Sequence, residues 1–161
     1  MTAPPTSNTV VSLPTDRQIL ITREFAAPPQ FVYAAWTTPD LIRRWWHAKR
    51  GEVTSVEVDL RVGGKWRQAM VTPDGFEVAF HGEYRELVPN ELIVCTEVYE
   101  GAPDDEALDT IRFIDLDGRT RIELLVEHGT AAARDMHIAS GMEAGLRDAM
   151  DLLEETAISL A

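Results

Sequence analysis

Histidine and cysteine are the side chains of this 161-residue chain that are best suited to proton transfer or metal binding. They are Cys95, His47, His81, His128 and His137. The histidines lack a metal-ligand spacing such as HExxH, and the single cysteine has no second cysteine to join it. The sequence also lacks a nucleophile elbow, a phosphate-binding loop and a glycine-rich dinucleotide fingerprint. We therefore expect no metal and no cofactor, and the catalytic residues stay unassigned.

Two of the histidines are candidates for a general base. His128 follows Glu127, and His137 lies near the predicted start of the last helix. Because imidazole titrates near neutral pH, either residue could move a proton in a cyclase-like reaction. The competing interpretation is a surface or helix-capping histidine, and the sequence favours that simpler role for each.

Tryptophan is the second unusual feature, with three residues inside "AAWTTPDLIRRWWHA" (34–48) and a fourth at Trp66. Tryptophan is costly to expose, and its N–H needs a partner when it is buried. Such a cluster suits a packed core, a stacking surface for bases or one wall of a small-molecule cavity. Trp36 falls on the apolar stripe of a short helix and is predicted in the core. Trp45 and Trp46 would point about 100° apart on a helix, so at most one is expected to line a cavity.

The charge balance excludes several classes of partner. Lys and Arg number 15 against 27 Asp and Glu, which gives a formal net charge of −12. Nucleic acid is not expected, because the only basic concentration, at Arg43, Arg44, Lys49 and Arg50, is too narrow for a footprint on so acidic a chain. A membrane span is not expected either, since no apolar run reaches about 18 residues. The start lacks a secretory signal pattern and one cysteine favours a reducing compartment, so we expect a cytoplasmic protein.

The elements that must position these side chains follow from hydrophobic periodicity. Residues 1–15 are rich in Pro, Thr and Ser and are predicted to form a flexible tail, which leaves a single domain over 16–161. Alternating apolar residues predict a strand over 17–25. Two short helices follow, and Thr38 with Pro39 suits the cap and first turn of the second.

Beyond residue 51 the apolar period changes to two, and turn residues separate six consecutive strand patterns up to residue 128. This predicts an antiparallel meander. The last segment returns to helical spacing, with apolar residues from 139 to 157, and predicts one helix of roughly 20 residues. A sheet with one face covered by a long helix is a two-layer α+β architecture.

Four segments resemble one known family: "REFAAPPQFVYAAWTTPDLIRRWW", "DLRVGGKWR", "HGEYRELVPNELIVCTEVY" and "SGMEAGLRDAMDLLEE". Together they resemble the SRPBCC (START-like, Bet v 1-like) superfamily, within it the activator-of-Hsp90-ATPase-homologue-1-like branch, over about 17–158. The resemblance implies an α+β helix-grip fold, in which a curved antiparallel sheet of about seven strands surrounds a long C-terminal helix, with two short helices after strand 1. It also implies an internal hydrophobic cavity between sheet and helix.

Strand alternation and this resemblance together select the residues expected to line the cavity. Trp66, Gln68 and Met70 share one strand face, for example, and the competing interpretation is plain core. The predicted lining residues are Trp45, Trp66, Gln68, Met70, Phe80, Tyr84, Thr96, Phe113, His128, Met142, Gly145 and Leu146.

Three functions are weighed. The first is binding of a hydrophobic small molecule, of aromatic, lipid-like or polyketide-like chemistry, of the kind that family members use in transport or in stress response. The second is a polyketide cyclase or dehydratase-like enzyme, which would need a titratable group with a shifted pKa inside the cavity. The third is a co-chaperone module, although the Hsp90 activator carries a further N-terminal domain for which this chain has no room. The oligomeric state is left open, with a homodimer as one option.

Overall fold

The computed structural model of the protein describes residues 8–161 and contains one antiparallel sheet with helices packed against it. The strands are β1 (Val10–Ser12), β2 (Gln18–Phe25), β3 (Glu52–Val58), β4 (Lys65–Val71), β5 (Glu77–Val88), β6 (Leu92–Tyr99), β7 (Glu106–Asp115) and β8 (Thr120–Glu127). The helices are α1 (Pro29–Thr37), α2 (Pro39–Ile42), α3 (Ala131–Ala139) and α4 (Met142–Ile158). The predicted α+β helix-grip fold is confirmed. Within residues 8–161, every helix is too short or too polar to cross a membrane.

The sheet has the strand order β1-β2-β8-β7-β6-β5-β4-β3. From β3 to β8, each strand pairs antiparallel with the next one along the chain, so the predicted six-strand meander is confirmed. β2 pairs with β8, and β1 pairs with β2 as the edge strand on that side. The register shifts between Val53 and Ser55 and again between Tyr84 and Glu86. Such bulges bend and twist a sheet locally, which helps this one to curve around α4.

Alternation decides which face of the sheet is buried. On β8, for instance, Thr120, Ile122 and Val126 are buried and face the core, whereas Arg121 between them is exposed. The C-terminal half of α4 covers this inward face with side chains such as Leu153, which is completely buried. Burial of this apolar layer is the main favourable contribution to the stability of such a fold.

The two short helices form where the sequence predicts them. Pro29 occupies the first turn of α1, and Thr38 is the N-cap residue of α2, with Pro39 next to it. The Thr38 side chain makes no capping hydrogen bond. The helix start is therefore favoured by Pro39, whose fixed φ suits the first helical position. α2 ends at Ile42, and residues 43–50 continue as irregular turns.

The C-terminal segment differs from the single helix that its periodicity predicts. It contains two helices, α3 and α4, separated at Gly141, whose φ of +82° lies in the left-handed region that glycine adopts without strain. α3 begins at an N-cap threonine, Thr130, whose Oγ1 accepts a hydrogen bond of 3.0 Å from the Ala133 N–H. The break lets α3 leave the axis of α4 and reach the end of β8.

The predicted tail over residues 1–15 includes one element that the sequence analysis missed. Residues 1–7 lie outside the described part of the chain. Val10–Ser12 forms β1, a short edge strand that pairs with β2 from Val10↔Thr22 to Ser12↔Leu20. The division into a tail and a domain from residue 16 stays a prediction.

Candidate functional site

A cavity of about 410 Å³ lies between the inward face of the sheet, α4 and the turns that follow α2. This volume falls within the range of about 300–1,000 Å³ that is typical of small-molecule sites. β4 to β8 supply one wall and α4 supplies the opposite one, with Met142, Leu146 and Met150 facing inward. The flexible methionine side chains suit a wall that adapts to its ligand.

The third wall is aromatic and comes from the tryptophan cluster. The rings of Trp36 and Trp45 lie 5.2 Å apart, and Trp46 meets Phe80 edge to face at 6.0 Å. The indole N–H of Trp45 is satisfied, because it donates a 2.9 Å hydrogen bond to the carbonyl oxygen of Ala35. These contacts fix the aromatic wall through packing and one buried hydrogen bond.

The expectation that only one tryptophan of the Trp45–Trp46 pair lines the cavity is wrong. Both face it, and Trp36, predicted in the core, lines it as well. The expectation assumed that side chains about 100° apart cannot border one cavity. Trp45 packs against Trp36 and Trp46 packs against Phe80, and all four residues line the cavity.

Nine of the predicted residues surround the cavity: Trp45, Trp66, Gln68, Met70, Phe80, Tyr84, Met142, Gly145 and Leu146. The structure therefore brings together residues from the turns after α2, from β4 and β5, and from α4. Their part in ligand binding is a proposal.

Three predicted residues lie elsewhere. Thr96 belongs to the opposite face of β6, where its Oγ1 accepts a 2.9 Å hydrogen bond from the Glu83 N–H. Phe113 faces the core but is enclosed by the Tyr33 and Trp36 rings, at 5.4 Å and 6.1 Å. His128 directly follows the last strand and, with Thr96, borders a more open depression that lies away from the cavity.

The cavity also contains two acidic residues that the sequence analysis did not select, Glu97 and Asp109. Cys95 and Asp109 are direct cross-strand partners on β6 and β7, and Glu97 faces the same side two residues beyond Cys95. The signal that could have found them is an acidic residue in an inward strand position, since Ala107 and Ile111 around Asp109 are buried and apolar.

The electrostatics of this acidic pair are unusual. Asp109 is only 6% exposed, and burial is the main cause that raises the pKa of its carboxyl group well above its ordinary value. The neighbouring Glu97 raises it further, through its charge and through a hydrogen bond between the two carboxyl groups. A raised pKa favours the protonated form of Asp109, in which the carboxyl group can donate a hydrogen bond.

Two buried polar atoms in the cavity wall make no hydrogen bond with the described residues: Asp109 Oδ1 and Trp66 Nε1. The Trp66 indole lies over Gly82, where a Cβ would collide with its Nε1 and with the Thr96 carbonyl oxygen. Gly82 therefore permits the close approach of β5, β6 and the indole, not extra space for a ligand. Buried polar atoms without partners are uncommon, and in a cavity they are available to a bound molecule.

The open end of the cavity is crossed by Arg50. Its guanidinium lies over Gly145, 3.7 Å from the position that a Cβ would take there, and forms an ion pair of 2.8 Å with Asp148. Both partners are more than 40% exposed, so the pair is a surface interaction of modest strength. It joins the turns after α2 to α4 at the edge of the cavity.

The two candidate general bases form a pair beside the cavity. His128 Nε2 and His137 Nδ1 lie 2.9 Å apart, and only His137 lines the cavity. Burial lowers the pKa of both imidazoles, and the neighbouring His137 lowers that of His128 further. Both rings are therefore neutral at pH 7, and the pair joins α3 to the end of β8.

Among residues 8–161, no group of three or more His, Cys, Asp or Glu side chains is arranged to hold a metal ion. Cys95 is buried, and burial is the main cause that raises the pKa of its thiol, so it is a neutral thiol in the cavity wall. Burial also raises the pKa of Tyr84, which keeps its phenol protonated. Among the described residues, the groups in the cavity wall that can donate or accept a proton are thus Glu97, Asp109 and His137.

Comparison with known proteins places this geometry in a family. The family described as activator of Hsp90 ATPase homolog 1-like protein matches residues 26–157. A protein from Rhodobacter sphaeroides has a solved structure that is similar with a TM-score of 0.86 and 26% identity, covering 94% of this chain and 99% of that one. A protein from Arthrobacter aurescens is similar with a TM-score of 0.82 and 23% identity, covering 93% and 91%. The comparison with curated proteins gave no match.

Proposed function

Since the chain belongs to the activator of Hsp90 ATPase homolog 1-like branch of the SRPBCC superfamily, we propose that it binds a hydrophobic small molecule in the cavity between the sheet and α4. The fold of this superfamily commonly binds hydrophobic ligands. The observation that carries the proposal is the cavity itself, about 410 Å³ in volume and walled by four tryptophans and the apolar side of α4. A fold stabilised only by its core would fill that space, because interiors pack to high density.

The proposal also covers the cellular compartment of the protein. We propose a cytoplasmic location, supported by the single cysteine, which is buried and free. Roles in transport or in stress response would both follow from ligand binding, and the identity of the ligand would decide between them.

A neutral fluorescent probe tests the proposal. N-phenyl-1-naphthylamine should bind the purified full chain with increased emission and raise its melting temperature. Ala149→Phe should weaken binding by at least about tenfold, because Ala149 lines the cavity on α4 and the larger ring would occupy it. Ala144→Phe is the matched control, since Ala144 is exposed on the same helix.

An unchanged probe signal, or equal binding by both variants, would overturn the proposal. Circular dichroism melting first establishes that both variants are folded. If the probe and a panel of neutral hydrophobic molecules leave emission and melting temperature unchanged, or if both variants bind as wild type does, the cavity is not a binding site.

A second candidate, a dehydratase- or cyclase-like enzyme, is favoured by one observation: a buried carboxyl group with a raised pKa inside the cavity, at Asp109. A protonated Asp109 could donate its proton to a leaving hydroxyl group while Glu97 accepts a proton from the adjacent carbon, so that water leaves. The cavity would orient the substrate chain.

A model β-hydroxy ketone, 4-hydroxy-4-phenylbutan-2-one, tests this second candidate. An enzyme of this kind should accelerate loss of water to the enone, followed by absorbance, and Asp109→Asn should remove the acceleration. No acceleration over buffer at a stoichiometric amount of protein would count against catalysis of this reaction class.

A further inference from the structure

The acidic pair gives the cavity a polarity that its apolar walls do not explain. We propose that the ligand is a hydrophobic cation, a molecule with an aromatic or aliphatic body and one protonated amine, whose nitrogen is held between Glu97 and Asp109. The inference rests on the proposed function, because it names the class of ligand for the same cavity.

The charges around the cavity favour a cation over an anion. Of the described lining residues, Arg50 carries the only permanent positive charge, and its partner Asp148 compensates it at 2.8 Å. His137 also faces the cavity, but the lowered pKa of its imidazole leaves it neutral at pH 7. Glu97 and Asp109, in contrast, place two carboxyl groups in the wall of the same cavity. A carboxylate ligand would meet a like charge in a poorly solvated site, whereas an ammonium group would meet an opposite one.

The hydrogen-bonding needs of the wall agree with this charge. Asp109 is more than nine-tenths buried, and its Oδ1 accepts no hydrogen bond from the described residues. An unpaired buried acceptor costs stability, of a size comparable to a lost hydrogen bond, so a structure tends not to retain one without a use. An ammonium nitrogen carries several N–H donors and can donate hydrogen bonds to Asp109 and Glu97 at the same time.

The aromatic residues beside the pair complete the argument. Tyr84, Cys95 and Asp109 form a row of direct cross-strand partners across β5, β6 and β7, so an aromatic ring lies in the same row as the buried acid. Trp66 lines the same cavity from β4. Tyrosine and tryptophan rings attract cations through their faces, most strongly where water is excluded. The apolar body of the ligand would then contact the tryptophans and α4.

Three probes with one ring system separate charge from hydrophobicity. Isothermal titration of the full chain at pH 7 compares 2-naphthylmethylamine, 2-naphthylmethanol and 2-naphthoate. We expect the amine to bind at least about tenfold more tightly than the alcohol, and 2-naphthoate to bind most weakly. In Asp109→Asn and in Glu97→Gln, the amine should fall to within about twofold of the alcohol, because each change removes one of the two carboxyl groups that would hold the ammonium nitrogen. Asp104→Asn, at an exposed loop position, removes the same charge far from the cavity and should keep the preference.

The outcomes separate this inference from the proposed function. If the amine and the alcohol bind equally, or if 2-naphthoate binds most tightly, the proposal of a cationic ligand is wrong, whereas the proposal that the cavity binds hydrophobic molecules is still supported. If the preference persists in both cavity variants, or disappears in Asp104→Asn, the Glu97–Asp109 pair is not its source. If none of the three displaces N-phenyl-1-naphthylamine, the cation is also wrong, and if that probe does not bind either, both proposals fail.

Discussion

Arg23 on β2 and Asp109 on β7 both point inward from the same sheet, yet the first is surrounded by groups of opposite charge and the second is not. Arg23 is 2% exposed and Asp109 is 6% exposed, so both leave water on folding. Desolvation penalises a charge at either position. What differs is the set of partners that each side chain meets.

Arg23 has a partner for each part of its guanidinium. It donates to Asp151 Oδ1 at 2.7 Å, to Glu154 Oε1 at 3.0 Å and to Thr9 Oγ1 at 3.3 Å. Its guanidinium carbon also lies 5.2 Å from the centre of the Phe25 ring. The cluster joins the segment before β2 to the C-terminal half of α4, and this closed geometry is typical of a structural ion pair.

Among residues 8–161, no basic side chain contributes to the shifted pKa of Asp109. Its interacting neighbour Glu97 is another acid, and Oδ1 makes no hydrogen bond with the described residues. The comparison teaches that burial alone does not identify a functional charge. A buried charge with all partners in place stabilises the fold, whereas a buried acid that lacks a donor at a cavity is available for a ligand or a reaction.

The largest effect is expected from removing the compensated charge. Arg23→Met should lower the free energy of unfolding by about 3–5 kcal/mol, because it leaves Glu154 without its cation beneath α4. Urea denaturation at pH 7 measures the change. Arg61→Met is the control. Arg61 is 68% exposed and forms a surface ion pair with Asp59, so its replacement should change the free energy of unfolding by no more than about 0.5 kcal/mol. Equal stabilities of Arg23→Met and wild type would contradict the structural role of the Arg23 ion pairs.

Replacing the uncompensated acid should have the opposite sign. Asp109→Asn should raise the free energy of unfolding at pH 7, because a carboxyl group whose pKa is raised on folding costs stability above its unfolded-state pKa. The same urea experiment measures it, with Asp104→Asn as control. A loss of stability would mean that Asp109 belongs to the structural framework, as Arg23 does.

Much of the fold was predictable because its signals are local. Alternating apolar residues and turn chemistry define β3 to β8 one after another, and Pro29 and Pro39 mark the helix starts. The break at Gly141 was not predictable in the same way, because the apolar period runs on from Ala139 to Met142 across it. Only the left-handed φ at Gly141 separates α3 from α4.

The cavity was predictable in its apolar part and not in its polar part. Trp66, Gln68 and Met70 follow from strand alternation alone. Glu97 and Asp109 are twelve positions apart, and the β6–β7 register that brings them together is a tertiary feature. Thr96 shows the related error, because one step of register moves a side chain to the other face of the sheet.

The pH dependence of stability sharpens the contrast further. Because the pKa of Asp109 is raised on folding, the folded state binds more protons than the unfolded one above about pH 4, so the contribution of Asp109 decreases as pH rises. The stability gap between Asp109→Asn and wild type should be small near pH 4, grow with pH and level off above the folded-state pKa. Urea denaturation from pH 4 to pH 8 measures it, and a gap that does not change with pH would contradict the assignment.

The smallest effect is expected at a third acid, Glu100, on the outer side of the sheet. Arg67, at 2.9 Å, is the main cause that lowers the pKa of Glu100 to about 2, and His81 lowers it further. Its stabilisation is therefore present above the unfolded-state pKa and is lost as pH falls from about 4.5 towards 2. Because both partners are about one-third exposed, Glu100→Gln should lose only about 0.5 kcal/mol at pH 7.

Added salt separates this exposed pair from the buried acid. Screening at 1 M salt shortens the range of exposed electrostatic interactions to about 3 Å, so the loss in Glu100→Gln should shrink towards zero. The gain in Asp109→Asn should persist, because burial is its main cause and ions do not enter the cavity wall. Urea denaturation of both variants with and without salt makes the comparison. If salt also removed the gain at Asp109, solvent would reach that carboxyl group, and its raised pKa would have to come from the repulsion by Glu97 instead of from burial.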